Sequence, residues 1–204
     1  MKACLVVLTL LLTTPAVASA EWQIKPFVGV TFGGGTTFYD PEFAAGHPNV
    51  VFGASGMLLG EVFGIEADFG YAPGFFQRSS QGLALISGPT MDLVADSGVT
   101  TLTGNVVVAL PRHLAEYTLR PYFVGGAGLM HVRIDRPLGL LNVDESLEAM
   151  DLGGGVTGFL SKRIGVSWDV RYFRSINRTV QSGLSFGSEQ LSFWRANMAV
   201  AIKL

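Results

Sequence analysis

Residues 190–204, QLSFWRANMAVAIKL, alternate between two kinds of side chain with a period of two. One set is Trp194, Ala196, Met198, Val200, Ile202 and Leu204; the interleaved set is Phe193, Arg195, Asn197, Ala199, Ala201 and Lys203. Successive side chains of a strand point to opposite faces, so the segment is a strand with one apolar face and one face that carries charge. Unpaired strand edges invite aggregation. If the apolar face meets lipid, every backbone group must be paired within the protein, which a closed sheet achieves. This requirement constrains everything that precedes the segment.

Seven further segments of strand length satisfy it. Residues 22–32 set Trp22, Ile24, Pro26, Val28, Val30 and Phe32 against Gln23, Lys25, Gly29 and Thr31. Residues 50–60 carry little charge and leave their facing open. In residues 61–71, Phe63, Ile65, Ala67, Phe69 and Tyr71 oppose Glu66, Asp68 and Gly70. In residues 99–110, Leu102, Val106, Val108 and Leu110 oppose Thr101, Thr103 and Asn105. Residues 120–131 and 151–160 are rich in glycine, and their register stays open. In residues 164–174, Ile164, Val166, Trp168, Val170 and Tyr172 oppose Ser167, Asp169 and Arg171. The expected fold class is all-β: an eight-stranded antiparallel transmembrane β-barrel.

Composition agrees. Charged residues make up 15% of the 204-residue chain, against about 25% in soluble domains. The aliphatic and aromatic content excludes disorder, and no basic cluster marks a nucleic-acid surface. Residues 1–20 have the pattern of a signal peptide: Lys2, an apolar run, and Ala18-Ser19-Ala20 before a cleavage expected after Ala20. The single cysteine, Cys4, lies inside that segment, so residues 21–204 hold no disulfide or thiolate ligand. After Ala20 the longest uncharged run, residues 43–60, is interrupted by Gly46, His47, Pro48, Gly53 and Gly56, which argues against a spanning helix.

Connection lengths alternate. Short joins fall near 60–61, 111–118 and 161–163, and long ones at 33–49, 72–97, 132–150 and 175–189. Short turns on one side and long loops on the other, with an even strand count, is the outer-membrane barrel pattern. With RPYFVGGAGL at 120–129 and GVSWDVRYF at 165–173, the chain resembles the small eight-stranded outer-membrane barrels: the OmpA transmembrane domain, OmpX and the opacity-type proteins. The resemblance implies short turns in the periplasm, long loops outside, residence in a bacterial outer membrane with its lipid and lipopolysaccharide, and insertion by the barrel-assembly machinery through the C-terminal strand. Such chains usually end in an aromatic residue, where this one has Leu204.

Candidate functional residues fall in two groups. Glu66, Asp68, Asn105, Asp169, Arg171, Arg195 and Asn197 occupy polar faces several residues up their strands, so they fall in one band inside the barrel. An eight-stranded barrel is just filled by side chains, so the expectation is a paired polar plug rather than a gated path or a catalytic pair. Trp22, Tyr71, Tyr172 and Trp194 are expected in the aromatic girdles at the two membrane interfaces. His47, His113 and His131 have no metal-ligand spacing. Gly33-Gly34-Gly35 and Gly153-Gly154-Gly155 lack the following Lys-Ser/Thr of a phosphate loop and suit strand bends instead. Barrels that trim lipid A carry a His-x-Ser pair, whereas Val132 and Arg133 follow His131. No enzyme activity, cofactor or metal is expected.

Loops 72–98 and 132–150 are the candidates for a surface partner. The first holds Phe75, Phe76, Leu83, Leu85, Ile86 and Met91, enough apolar side chains to cover the barrel mouth or build a hairpin above it. Residues 142–150, NVDESLEAM, suit a short helix opening near Asp144. The expectation is a monomeric barrel that anchors interacting loops. The alternatives are an OmpW-like conduit for small apolar molecules, with Phe27, Val107 and Phe193 lining a hollow, and a soluble lipocalin-like barrel with polar side chains outside.

Overall fold

The computed structural model describes residues 20–36, 48–75, 96–111, 119–135, 143–176 and 191–204. Residues 1–19 of the expected signal peptide, His47, His113 and the loop spans 76–95 and 136–142 therefore lie outside the described residues. The strands are β1 (Glu21–Thr36), β2 (Asn49–Leu59), β3 (Phe63–Pro73), β4 (Asp96–Ala109), β5 (Leu119–Asp135), β6 (Val143–Phe159), β7 (Ile164–Ser175) and β8 (Leu191–Lys203). Each pairs antiparallel with its sequence neighbour, and β1 pairs with β8 from Gln23↔Lys203 to Thr36↔Leu191. The sheet is a closed eight-stranded barrel, so neither terminal strand is left as an edge.

Alternation in sequence becomes alternation across the wall. On β8, Phe193, Arg195, Asn197, Ala199 and Ala201 are buried, while Trp194, Met198, Val200 and Ile202 face outward. On β3, Glu66, Asp68 and Gly70 are inside, and Phe63, Ile65, Ala67, Phe69 and Tyr71 are outside. The outer wall is thus apolar, the reverse of a soluble barrel.

Four expectations need correction. β6 begins at Val143, not at 151, so the helix expected near Asp144 is a strand. Its pairing with β5 runs without a break from Leu119↔Gly158 to Ile134↔Val143. The expected helix had only local propensity behind it; the neighbouring strand supplies a long ladder of hydrogen bonds, and tertiary context wins. For the same reason loop 132–150 shrinks, because 132–135 and 143–150 belong to β5 and β6. His131, expected at a strand end, lies within β5. Loop 72–98 likewise loses Ala72 and Pro73 to β3 and residues 96–98 to β4.

Candidate functional site

The interior has three layers. At the short-turn end, Met57, Leu59, Val107, Ala109, Tyr122 and Val124 form an apolar cluster. Below it Arg120 closes the floor: its Nη2 donates to the carbonyls of Gly60 (2.8 Å) and Glu61 (2.7 Å), and its Nε to that of Leu110 (3.0 Å). One guanidinium so ties the β2–β3 turn to the end of β4 through planar, directional bonds. At the long-loop end, Phe173, Phe193, Leu191, Leu147 and Met130 are buried in a second apolar cluster.

Between the clusters lies the polar band. Glu66, Asp68, Asn105, Asp169, Arg171, Arg195 and Asn197 all point inward and are buried. Arg171 is the hub. Its Nη1 meets Glu66 Oε1 at 2.5 Å and its Nε donates to Asp169 Oδ1 at 3.1 Å. Asp68 Oδ2 and Asp151 Oδ2 stand 3.7 and 3.8 Å from Nη1. Arg195 Nη2 donates to Asp68 Oδ1 at 2.7 Å, so Asp68 bridges the two guanidinium groups. Asn105 donates to Glu66 Oε1 (3.3 Å) and Asn197 to Asp169 Oδ1 (3.1 Å). The guanidinium carbon of Arg195 lies 4.8 Å from the Phe27 ring centroid and 4.6 Å from that of Phe173. The ion-pair layer thus passes into the aromatic layer through cation–π contacts.

Several members of the network are absent from the set read from sequence. Asp151 comes from β6, whose glycine run hides the alternation that would have set its facing. Lys25 stands on the polar set of β1 and reaches the band from below, with Nζ 3.4 Å from Thr157 Oγ1 and 4.6 Å from the Tyr122 ring centroid. Tyr122 donates to Asp169 Oδ2 at 3.2 Å. A phenol on an aromatic strand reads as apolar in sequence, and only the register turns it inward. Among the described residues, the buried band carries Glu66, Asp68, Asp151 and Asp169 against Lys25, Arg171 and Arg195.

Glycines make room for these groups. A Cβ at Gly153 would come within 2.8 Å of Arg171 Cγ, and one at Gly155 within 2.7 Å of Asp169 Cβ and 2.8 Å of the Tyr122 hydroxyl. The run expected to ease strand bending is where β6 yields space to the side chains of β7.

The mouth is closed from the loop side by Phe75, just past β3. Gly74 takes φ 66°, a left-handed turn that suits glycine, and Phe75 follows it inward to full burial. Its ring packs edge-on against Phe193 at 5.1 Å, and Phe193 stacks on Phe173 at 5.3 Å. Asn49 Nδ2 donates to the Phe75 carbonyl at 3.1 Å. Phe27, Val107 and Phe193, the residues of the expected hollow, are themselves packed: Phe27 against Arg195, Val107 in the floor cluster, Phe193 between two rings.

On the outside, Trp22 is exposed at the short-turn end of β1. Tyr71, Tyr172 and Trp194 lie near the opposite end, with Tyr172 and Trp194 at 5.0 Å and Tyr71 edge-on to Phe52 at 5.9 Å. His131 faces outward on β5, its Nδ1 3.1 Å from Ser146 Oγ and its Nε2 3.4 Å from Asp144. No group of three or more His, Cys, Asp or Glu side chains among the described residues has the geometry to hold a metal ion.

The same architecture recurs in known proteins. The chain is similar to Neisserial surface protein A, with 10% identity and a TM-score of 0.60 over 90% of this chain and 97% of that one. It is similar to Ail, the attachment invasion locus protein of Yersinia pestis, solved in complex with the heparin analogue sucrose octasulfate (13% identity, TM-score 0.51, 90% and 99% covered). It is also similar to the outer membrane protein OprG from Pseudomonas aeruginosa (12%, 0.52, 92% and 97%). At these identities the likeness is one of fold. A search of curated protein sequences finds no match. A family model described as the outer membrane protein beta-barrel domain matches residues 4–194. The chain therefore belongs to the outer-membrane β-barrel domain family, whose place is the bacterial outer membrane.

Proposed function

We propose that this protein is a non-enzymatic outer-membrane anchor whose loops carry an adhesive or partner-binding function. The observation that carries the reading is the filled interior. Arg171 and Arg195 are each 1% exposed inside the wall, with the floor held by Arg120 and the mouth by Phe75. Among the described residues the cross-section is occupied by paired ions and stacked rings, and this filling supports a reading in which the loops are the active surface. Residues 76–95 and 136–142 are the spans to suspect; the first contains Leu83, Leu85, Ile86 and Met91, and apolar groups on an outer surface mark contact sites. The likeness to Ail, named for attachment, supports the same reading.

The test is a laboratory Gram-negative host displaying the protein, scored for attachment to cell monolayers and for self-aggregation. The intact chain is expected to confer attachment, and deletion of 76–95 together with 136–142 to abolish it while the barrel still shifts on unboiled gels. Attachment that survives the deletion, or none conferred by the intact chain, rejects the reading.

A further inference from the structure

The lipid-facing wall has a notch at its short-turn end. It is a groove of about 380 Å³ lined by Leu119, Val156, Gly158, Leu160, Val166 and Trp168. The register explains it. Leu119, Gly158 and Val166 stand side by side across β5, β6 and β7, with Pro121, Val156 and Trp168 one step up. Gly158 has no side chain, so the surface sinks between Leu119 and Val166, and Trp168, 60% exposed, forms a wall. Two residues past Leu160 the β6–β7 turn carries Lys162 and Arg163, both exposed. Neither makes an ion pair among the described residues. The β2–β3 turn, by contrast, bears Glu61 at the corresponding place.

We propose that this groove and turn form a binding site for one phospholipid of the periplasmic leaflet, with an acyl chain in the groove and an anionic headgroup on Lys162 and Arg163. Three observations favour that occupant over a second copy of the chain. The groove is apolar and faces the hydrocarbon; the cations sit at the interface end, where a headgroup phosphate would lie; and charge complementarity selects an anionic head, since unpaired cations at a membrane surface attract anionic lipid. Two such turns brought together in a symmetric dimer would repel each other. The site rests on the membrane-inserted barrel, not on the loop function proposed above.

The test is fluorescence quenching of Trp168 in a Trp22→Phe/Trp194→Phe protein, refolded into phosphatidylethanolamine vesicles doped with brominated phosphatidylglycerol or, separately, brominated phosphatidylcholine. A shift between unboiled and boiled gels first establishes insertion. The expected result is a preference for the anionic lipid of roughly fivefold or more in relative affinity, lost in Lys162→Ala/Arg163→Ala. Gly158→Leu should lose it too, with insertion intact. A Cβ there meets only the Leu119 Cδ2 at 2.8 Å, the far end of a flexible side chain, so the groove is filled without disturbing the wall. Equal quenching by both lipids overturns the proposal, as does a preference that survives either variant. Protection of Trp168 from both lipids overturns it in favour of a protein partner in the groove.

Discussion

Arg171 has more carboxylates around it than any other cation among the described residues, with Glu66, Asp169, Asp68 and Asp151 all within 4 Å of its guanidinium. Removing one partner of a buried ion pair leaves the other charged and unsolvated, the expensive half of the exchange. Arg171→Met should therefore destabilise the folded barrel by about 3–5 kcal/mol, read as a lower urea midpoint for unfolding from vesicles. Adding Glu66→Gln to Arg171→Met should recover part of that loss, because the two act as one unit. Two losses that simply add would show that the contact carries no coupling. Glycines give a second test. Gly155→Ala puts a methyl group against Asp169 and Tyr122 and should cost about 1–3 kcal/mol, whereas at Gly56, where a Cβ meets nothing within 4 Å, the same change should be close to neutral. Equal midpoints for the two variants would contradict the packing described. At this scale the sequence was readable wherever a charge interrupted an apolar alternation, as at Glu66, Asp68, Asp169, Arg171 and Arg195. It was unreadable at Asp151, where glycine erases the pattern, and at Tyr122, whose hydroxyl matters only because its register aims it at Asp169.

At the scale of the element, β8 shows why eight segments were legible. Its two faces answer to two solvents, lipid outside and a crowded polar interior inside, so selection for either leaves a period of two. The consequence is measurable. Met198 faces outward near the middle of β8 and is 54% exposed. Met198→Arg should cost about 2–4 kcal/mol of stability in vesicles, the penalty for a cation near the bilayer midplane. A change under half a kilocalorie would mean that this face does not meet lipid. β6 shows the limit of the same reading. Residues 143–150 carry Asp144, Glu145 and Glu148, a composition that local propensity assigns to a helix. They are a strand because β5 offers them a paired edge as far as Ile134. Nothing within the eight residues encodes that edge, so no local reading finds it.

For the whole molecule, closure and filling are separate achievements. Closure follows from eight strand-length segments joined by alternating short and long connections; their number and spacing are visible in the chain, and the two faces are visible in five of them. Filling depends on which side chains meet across the barrel: Lys25 from β1 with Tyr122 from β5, Arg195 from β8 with Phe27 and Phe173, Phe75 dropping in from a turn. Those meetings are set by register and by shear around the barrel, which the sequence does not display. They also bear on the function proposed here, in which a filled barrel leaves the work to loops and rim, whereas a hollow one would conduct. The direct measurement is planar-bilayer recording of the refolded protein, with liposome-swelling assays for small uncharged solutes. A silent bilayer and no uptake are expected. Stable conductance steps, or swelling above that of protein-free vesicles, would contradict the filled barrel.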